Sequence, residues 1–205
     1  MRNHIIVLAA QTVSLVFQPF YMPVVAFASL LTLTYLNSMR LADKLFLLLV
    51  IYGFTVLIPR LCILVYRHGR NLTRTDMNRR ENRTVPYMVT LAAYVLLAAL
   101  LSYIHMPRFA MVILIVAIAL NIVCLALNTR FKISTHAVGA GALTGLVVVY
   151  SLLFQFSLTP WLCLSLLICG MVGSARLLLR QHTLAEVAAG TLLGFVGGMA
   201  ALFIV

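Results

Sequence analysis

The stretch F-A-M-V-I-L-I-V-A-I-A-L-N-I-V-C-L-A-L-N, residues 109–128, carries no charge over its whole length. At 1.5 Å per helical residue it reaches the ~30 Å thickness of a hydrocarbon core, so it reads as a membrane-crossing helix. Its apolar residues are continuous rather than alternating, which excludes a barrel strand. In lipid, which offers the backbone no water, a helix satisfies its own N–H and C=O groups. Comparable runs lie on either side, at roughly 44–66, 86–104, 136–156, 160–179 and 184–204. The chain is 63% hydrophobic with a mean hydropathy of +1.09. The expected class is all-α: a polytopic membrane helical bundle with a six-span core.

A further apolar stretch, from about 5 to 36, precedes this core. It is too long for one upright helix and is interrupted by Q-P-F-Y-M-P, residues 18–23, where Pro19 and Pro23 each remove a helix hydrogen bond. It reads as a kinked span or a re-entrant hairpin. The opening M-R-N-H-I-I-V-L-A-A resembles a signal peptide, but no small-residue cleavage site leads into a polar region, so retention is expected. The chain then divides into a membrane element and connector, 1–43, and a six-helix membrane domain, 44–205. Cys62, Cys124, Cys163 and Cys169 sit inside apolar runs without the spacing of a zinc site or disulfide framework, and read as packing residues.

Fifteen Lys and Arg against four Asp and Glu give a net charge of +11, and its distribution is more informative than its size. Arg67, Arg70, Arg74, Arg79, Arg80 and Arg83 follow the 44–66 run, Arg130 and Lys132 follow 109–128, and Arg176 and Arg180 close 160–179. Two helices separate each of these loops from the next, so all three share one membrane face. The opposite face has little beyond Arg40, Lys44 and Arg108. Such a face is either the cytoplasmic side, where cationic loops are retained, or a convergence of cations on an anion. The partners expected are the lipid bilayer and a membrane lipid phosphate, with no nucleic acid. The only carboxylates are Asp43, Asp76, Glu81 and Glu186. No paired acidic motif is present to hold Mg²⁺, so the site is expected to bind anions without a metal or other cofactor.

Three stretches carry candidate chemistry. In S-A-R-L-L-L-R-Q-H-T-L-A-E, residues 174–186, Arg176 is followed after five residues by His182 and after three more by Glu186. On a helix that spacing of four brings carboxylate to imidazole. A carboxylate on Nδ1 fixes the tautomer and leaves Nε2 as a lone-pair donor, which makes the histidine a nucleophile. In F-K-I-S-T-H-A-V-G-A-G, residues 131–141, Lys132, Ser134, Thr135 and His136 offer an ammonium, two hydroxyls and an imidazole at a helix N-terminus, where free N–H groups favour anions. A capping Ser134 with a snorkelling Lys132 explains the same residues equally well. In R-N-L-T-R-T-D-M-N-R-R-E-N-R, residues 70–83, Arg79 and Arg83 are four apart. That loop is either a solvated, salt-bridged segment or a reader of an anionic headgroup.

Together these stretches resemble the type 2 phosphatidic acid phosphatase family, whose pattern is K-x6-RP, then PSGH, then SR-x5-H-x3-D. The third motif stands here as A-R-x5-H-x3-E, with Ala175 for serine and Glu186 for aspartate. The second is I-S-T-H, keeping Ser134 and His136. The first has no literal counterpart: either Lys132 supplies its lysine, or R-R-E-N-R-T-V-P, residues 79–86, stands in for it. The resemblance implies a six-span fold and metal-independent hydrolysis of a lipid phosphomonoester or diphosphate. It implies that His182 forms a phosphohistidine, Glu186 orients it, and His136 protonates the leaving alkoxide and then activates water. Arg176 and Lys132, with Ser134, Thr135, Arg79 and Arg83, would hold the phosphate. It also implies a site facing the extracytoplasmic side, whereas the positive-inside rule places these loops in the cytoplasm. The rival expectations are a phosphotransferase of the same fold, or a non-catalytic anionic-lipid-binding or transport protein.

Overall fold

The computed structural model describes residues 2–71 and 80–204. It is 86% helical. Among the described residues there is no strand, and seven helical stretches are long and apolar enough to cross a membrane: Ile5–Leu33, Leu41–Gly69, Thr84–Tyr103, Arg108–Leu127, Thr135–Phe154, Leu158–Leu178 and Leu184–Phe203. The protein is a multi-pass integral membrane protein of all-α architecture.

The first stretch holds two helices, α1 (Arg2–Val16) and α2 (Met22–Leu33), joined through a 3-10 turn at Pro19–Tyr21. The break falls before Pro19. Pro23 breaks nothing, because it lies in the first turn of α2, where an amide N–H has no intrahelical acceptor to lose. The two arms have different neighbours. Helix α1 packs on α8 (Leu158–Leu178) and leaves Ile5, Leu8 and Leu15 exposed, while α2 packs on α3 (Leu41–Tyr52), α6 (Arg108–Leu127) and α7 (Thr135–Phe154) and buries Phe27, Leu30 and Leu31. The second half of the N-terminal element is thus part of the central core.

Helix α3 continues through a π turn at Gly53–Leu57 into α4 (Ile58–Gly69), so that 29 residues run without a break. Pro59 explains the widened turn: its ring has no N–H and displaces the preceding turn's carbonyls. At ~43 Å this rod exceeds the ~30 Å core, and its polar end carries Arg67 and His68 past it. That overhang is why the helix outruns the 44–66 apolar run.

The remaining helices are α5 (Thr84–Tyr103), α6, α7, α8 and α9 (Leu184–Met199). Tyr35 stacks edge-on against Phe109 at 5.5 Å and Phe154 at 6.1 Å, and the Tyr150 hydroxyl donates to the Phe109 carbonyl at 2.8 Å. The end of α2, the start of α6 and the end of α7 therefore share one membrane face. Pro19 and Met22 pack against Gly139, which puts the start of α2 with the start of α7 at the other. Helix α7 is central, with thirteen of its twenty residues buried. Its tightest neighbour is α9. Gly141 and Gly145 of α7 face Thr191, Phe195 and Gly198, and Gly194 and Gly198 of α9 face Val138 and Ala142, main chain against main chain. Glycines four apart let membrane helices approach this closely, since no driving force beyond packing and hydrogen bonding joins apolar helices in lipid.

Candidate functional site

The loops after α4, α6 and α8 lie at one end of the bundle, and their polar residues meet there. Arg83 closes a short 3-10 helix, Arg80–Arg83, and caps α5. His136 is the second residue of α7, and Arg176 lies in the last turn of α8. His136, Arg176, His182 and Arg83 are near enough to feel one another's charge.

His182 and Glu186 form the tightest polar pair, with Nδ1 to Oε2 at 2.7 Å. The contact expected from helical stacking is made in another way. Helix α9 begins at Leu184, so His182 precedes the helix, and Thr183 is its N-cap. Glu186 N–H donates to Thr183 Oγ1 and Thr183 N–H donates to Glu186 Oε2, each at 3.3 Å, closing a capping box. Glu186 therefore caps the helix and holds the imidazole with the same carboxylate oxygen. Its Nδ1 contact leaves Nε2 of His182 free of that carboxylate. Burial first, then the Arg176 and Arg83 charges, pull the His182 pKa well below its ordinary value of 6.5, against the opposing pull of Glu186.

Arg176 is only 6% exposed. Its Nη1 donates to Ser14 Oγ of α1 at 2.9 Å, and its Nε has no partner. No carboxylate pairs with it among the described residues. A guanidinium held this way needs an anion, because a buried charge without a counter-ion costs several kcal/mol. Ser14 also brings its backbone to His136, so α1 covers one side of the cluster. The His182 side chain is 1% exposed.

On the other side of Arg176 and His136 opens a cavity of about 330 Å³. Its mouth is polar, with Gln18, Arg83, Thr135, His136 and Arg176. Below, it runs between α2, α5, α6 and α7 along apolar walls that include Met22, Ala26, Val116, Leu120, Leu143 and Leu146. A cationic rim over a hydrocarbon-lined shaft is the shape of an amphiphile with an anionic head.

Three of the sequence-derived phosphate ligands thus stand at the mouth: Arg83, Thr135 and Arg176. His136 stands beside them, and His182 and Glu186 adjoin the cluster without lining the cavity. Ser134 is fully buried as the N-cap of α7, accepting from Ala137 N–H at 3.4 Å. Lys132 is half-buried and lies outside the cavity lining. Arg79 lies outside the described residues. The sequence reading passed over Ser14, Gln18, Tyr87, Tyr94 and Asn121, which the fold brings to the cluster or the cavity. It also passed over Arg60, which donates to Gln18 and sits 5.0 Å above the Tyr21 ring. Only Arg60 had a local signal, a charge inside an apolar run. No family model, curated protein or solved structure matches the chain.

Proposed function

We propose that this protein is a metal-independent lipid phosphate phosphatase of the type 2 phosphatidic acid phosphatase kind, working through a phosphohistidine. The observation that carries this reading is Arg176. It is a buried cation with no carboxylate partner among the described residues, beside two histidines, at the mouth of an apolar cavity. The lipid's chain occupies the cavity and its phosphate accepts from the unpartnered Nε of Arg176. His182 Nε2 attacks phosphorus as the bond to the lipid oxygen breaks, and Glu186 stabilises the imidazolium-like product. The leaving oxygen takes its proton from His136, whose protonated form the phosphate dianion favours. Water then attacks the phosphohistidine and gives a proton to His136, which releases inorganic phosphate and restores His182. Arg176 and Arg83 balance the charge on the equatorial oxygens. We place the site on the extracytoplasmic face of the membrane. Labelling of the 67–85 loop in intact cells tests that placement, and labelling only after permeabilisation overturns it.

The test of the reaction is phosphate release from a panel of lipid phosphates by purified protein in EDTA. Release that persists in EDTA supports the reading, and an absolute need for a divalent metal overturns it. Arg176→Ala is expected to lower kcat/KM by about 10²–10³, the size of loss seen when a fixed charge-stabilising donor is removed. The pH profile follows from the downward pull on His182. The nucleophile must be neutral, so the acid limb of kcat/KM should lie below pH 6.5. In Arg176→Ala the limb should move upward, because a charge that disfavours the imidazolium has gone. A limb at or above 6.5 in the unaltered protein overturns the role given to His182.

A further inference from the structure

The cavity wall is not uniformly apolar. Helix α5 presents Pro86, Tyr87, Thr90 and Tyr94 to it, and α6 presents Asn121. Thr90 is satisfied by the Pro86 carbonyl at 2.7 Å. Tyr94 is 5% exposed and lines the cavity, and none of the side-chain hydrogen bonds seen among the described residues involves its hydroxyl. Asn121 gives its amide to the Tyr87 carbonyl at a long 3.5 Å, and its Oδ1 is buried with no partner. Eleven residues place Tyr94 ~16 Å along α5 from Arg83, and six residues place Asn121 ~9 Å from the end of α6 at Leu127. A helical side chain leans toward its own N-terminus, which for α5 is the mouth, so the tyrosine hydroxyl rises toward the depth of Asn121.

Each unpaired buried polar group costs about 1–3 kcal/mol. A bare alkyl or isoprenoid chain filling the shaft would seal both groups in without partners. A chain joined to its phosphate through hydroxyl, ester or amide groups would offer them partners along the shaft below the anion. We infer that Tyr94, with Asn121, is a specificity-determining rung. It selects lipid phosphates with a hydrogen-bonding linker, of glycerol or sphingoid type, over phosphates carried directly on hydrocarbon. This deepens the lipid-phosphate reading of the mouth and rests on it.

The test compares two non-hydrolysable ligands with the same twelve-carbon chain and the same anion, dodecylphosphonate and the phosphonate analogue of lauroyl lysophosphatidic acid. They differ only in the glycerol ester linker. Affinities are read from thermal shifts of the full-length protein in detergent. The glycerol-linked ligand is expected to bind about tenfold more tightly, the size of a well-made hydrogen bond in a dry site. Tyr94→Phe, which keeps the ring, should abolish that preference while leaving dodecylphosphonate affinity and the unliganded Tm unchanged. Equal affinity in the unaltered protein, or equal weakening of both ligands in Tyr94→Phe, overturns the inference. Arg176→Ala should weaken both ligands alike. If it weakens neither, the phosphate reading of the mouth fails, while the linker preference still judges Tyr94. Binding of neither ligand overturns both.

Discussion

Replacing His182 with alanine is expected to cut phosphate release by about 10³-fold or more, since loss of a nucleophile leaves only what binding and charge stabilisation supply. The informative companion is Glu186→Gln. Glu186 has two roles, accepting from Thr183 N–H in the capping box and holding His182 Nδ1 at 2.7 Å. Glutamine serves equally well in a capping box, so α9 keeps its start and the Tm should not move. What is lost is the charge that fixes the tautomer and stabilises the imidazolium, a loss on the order of 10²–10⁴ in kcat. An active Glu186→Gln protein would mean that the carboxylate only caps the helix. Activity surviving in His182→Ala would end the phosphohistidine mechanism.

The second large effect concerns the scaffold. Gly194→Ala should lower the Tm by roughly 5 °C or more, as overpacking of a tight contact costs ~1–3 kcal/mol. A Cβ at Gly194 would run into the Val138 carbonyl, and main chain cannot swing aside as a side chain can. Gly194→Leu should prevent folding of the bundle. Gly170→Ala is the control. It lies on α8 with nothing within 4 Å of the added methyl, so it should be neutral or slightly stabilising. Because α7 carries His136 and α9 starts just after His182, Gly194→Ala should also lose activity out of proportion to the protein remaining folded. Equal Tm values for Gly194→Ala and Gly170→Ala would show that α7 and α9 are not in main-chain contact.

Much of the scaffold was open to reading because lipid imposes a strict rule on sequence. The 109–128 run became Arg108–Leu127 and the 184–204 run became Leu184–Phe203. The 44–66 run became the Leu41–Gly69 rod, three residues longer at each end. The glycines at positions 141 and 145, and at 190, 194 and 198, fall at spacings of four. Their pairing across two helices appears only in the fold, because nothing in either segment names its partner.

The candidate site divides along the same line. His182, Glu186 and Arg176 stood within eleven residues of one another, and local spacing sufficed to group them, though a capping box rather than helical stacking makes the contact. Ser14 reaches Arg176 across 162 positions, and Tyr94 and Asn121 come to one cavity only because α5 and α6 both line it. The sequence alone determined a helical membrane bundle with its cations gathered on one face, because burial in hydrocarbon is paid residue by residue along the chain. Which helices touch, what covers Arg176 and what lines the cavity were decided by the tertiary structure. Packing in lipid depends on shape matched between distant segments, and shape complementarity leaves no local mark.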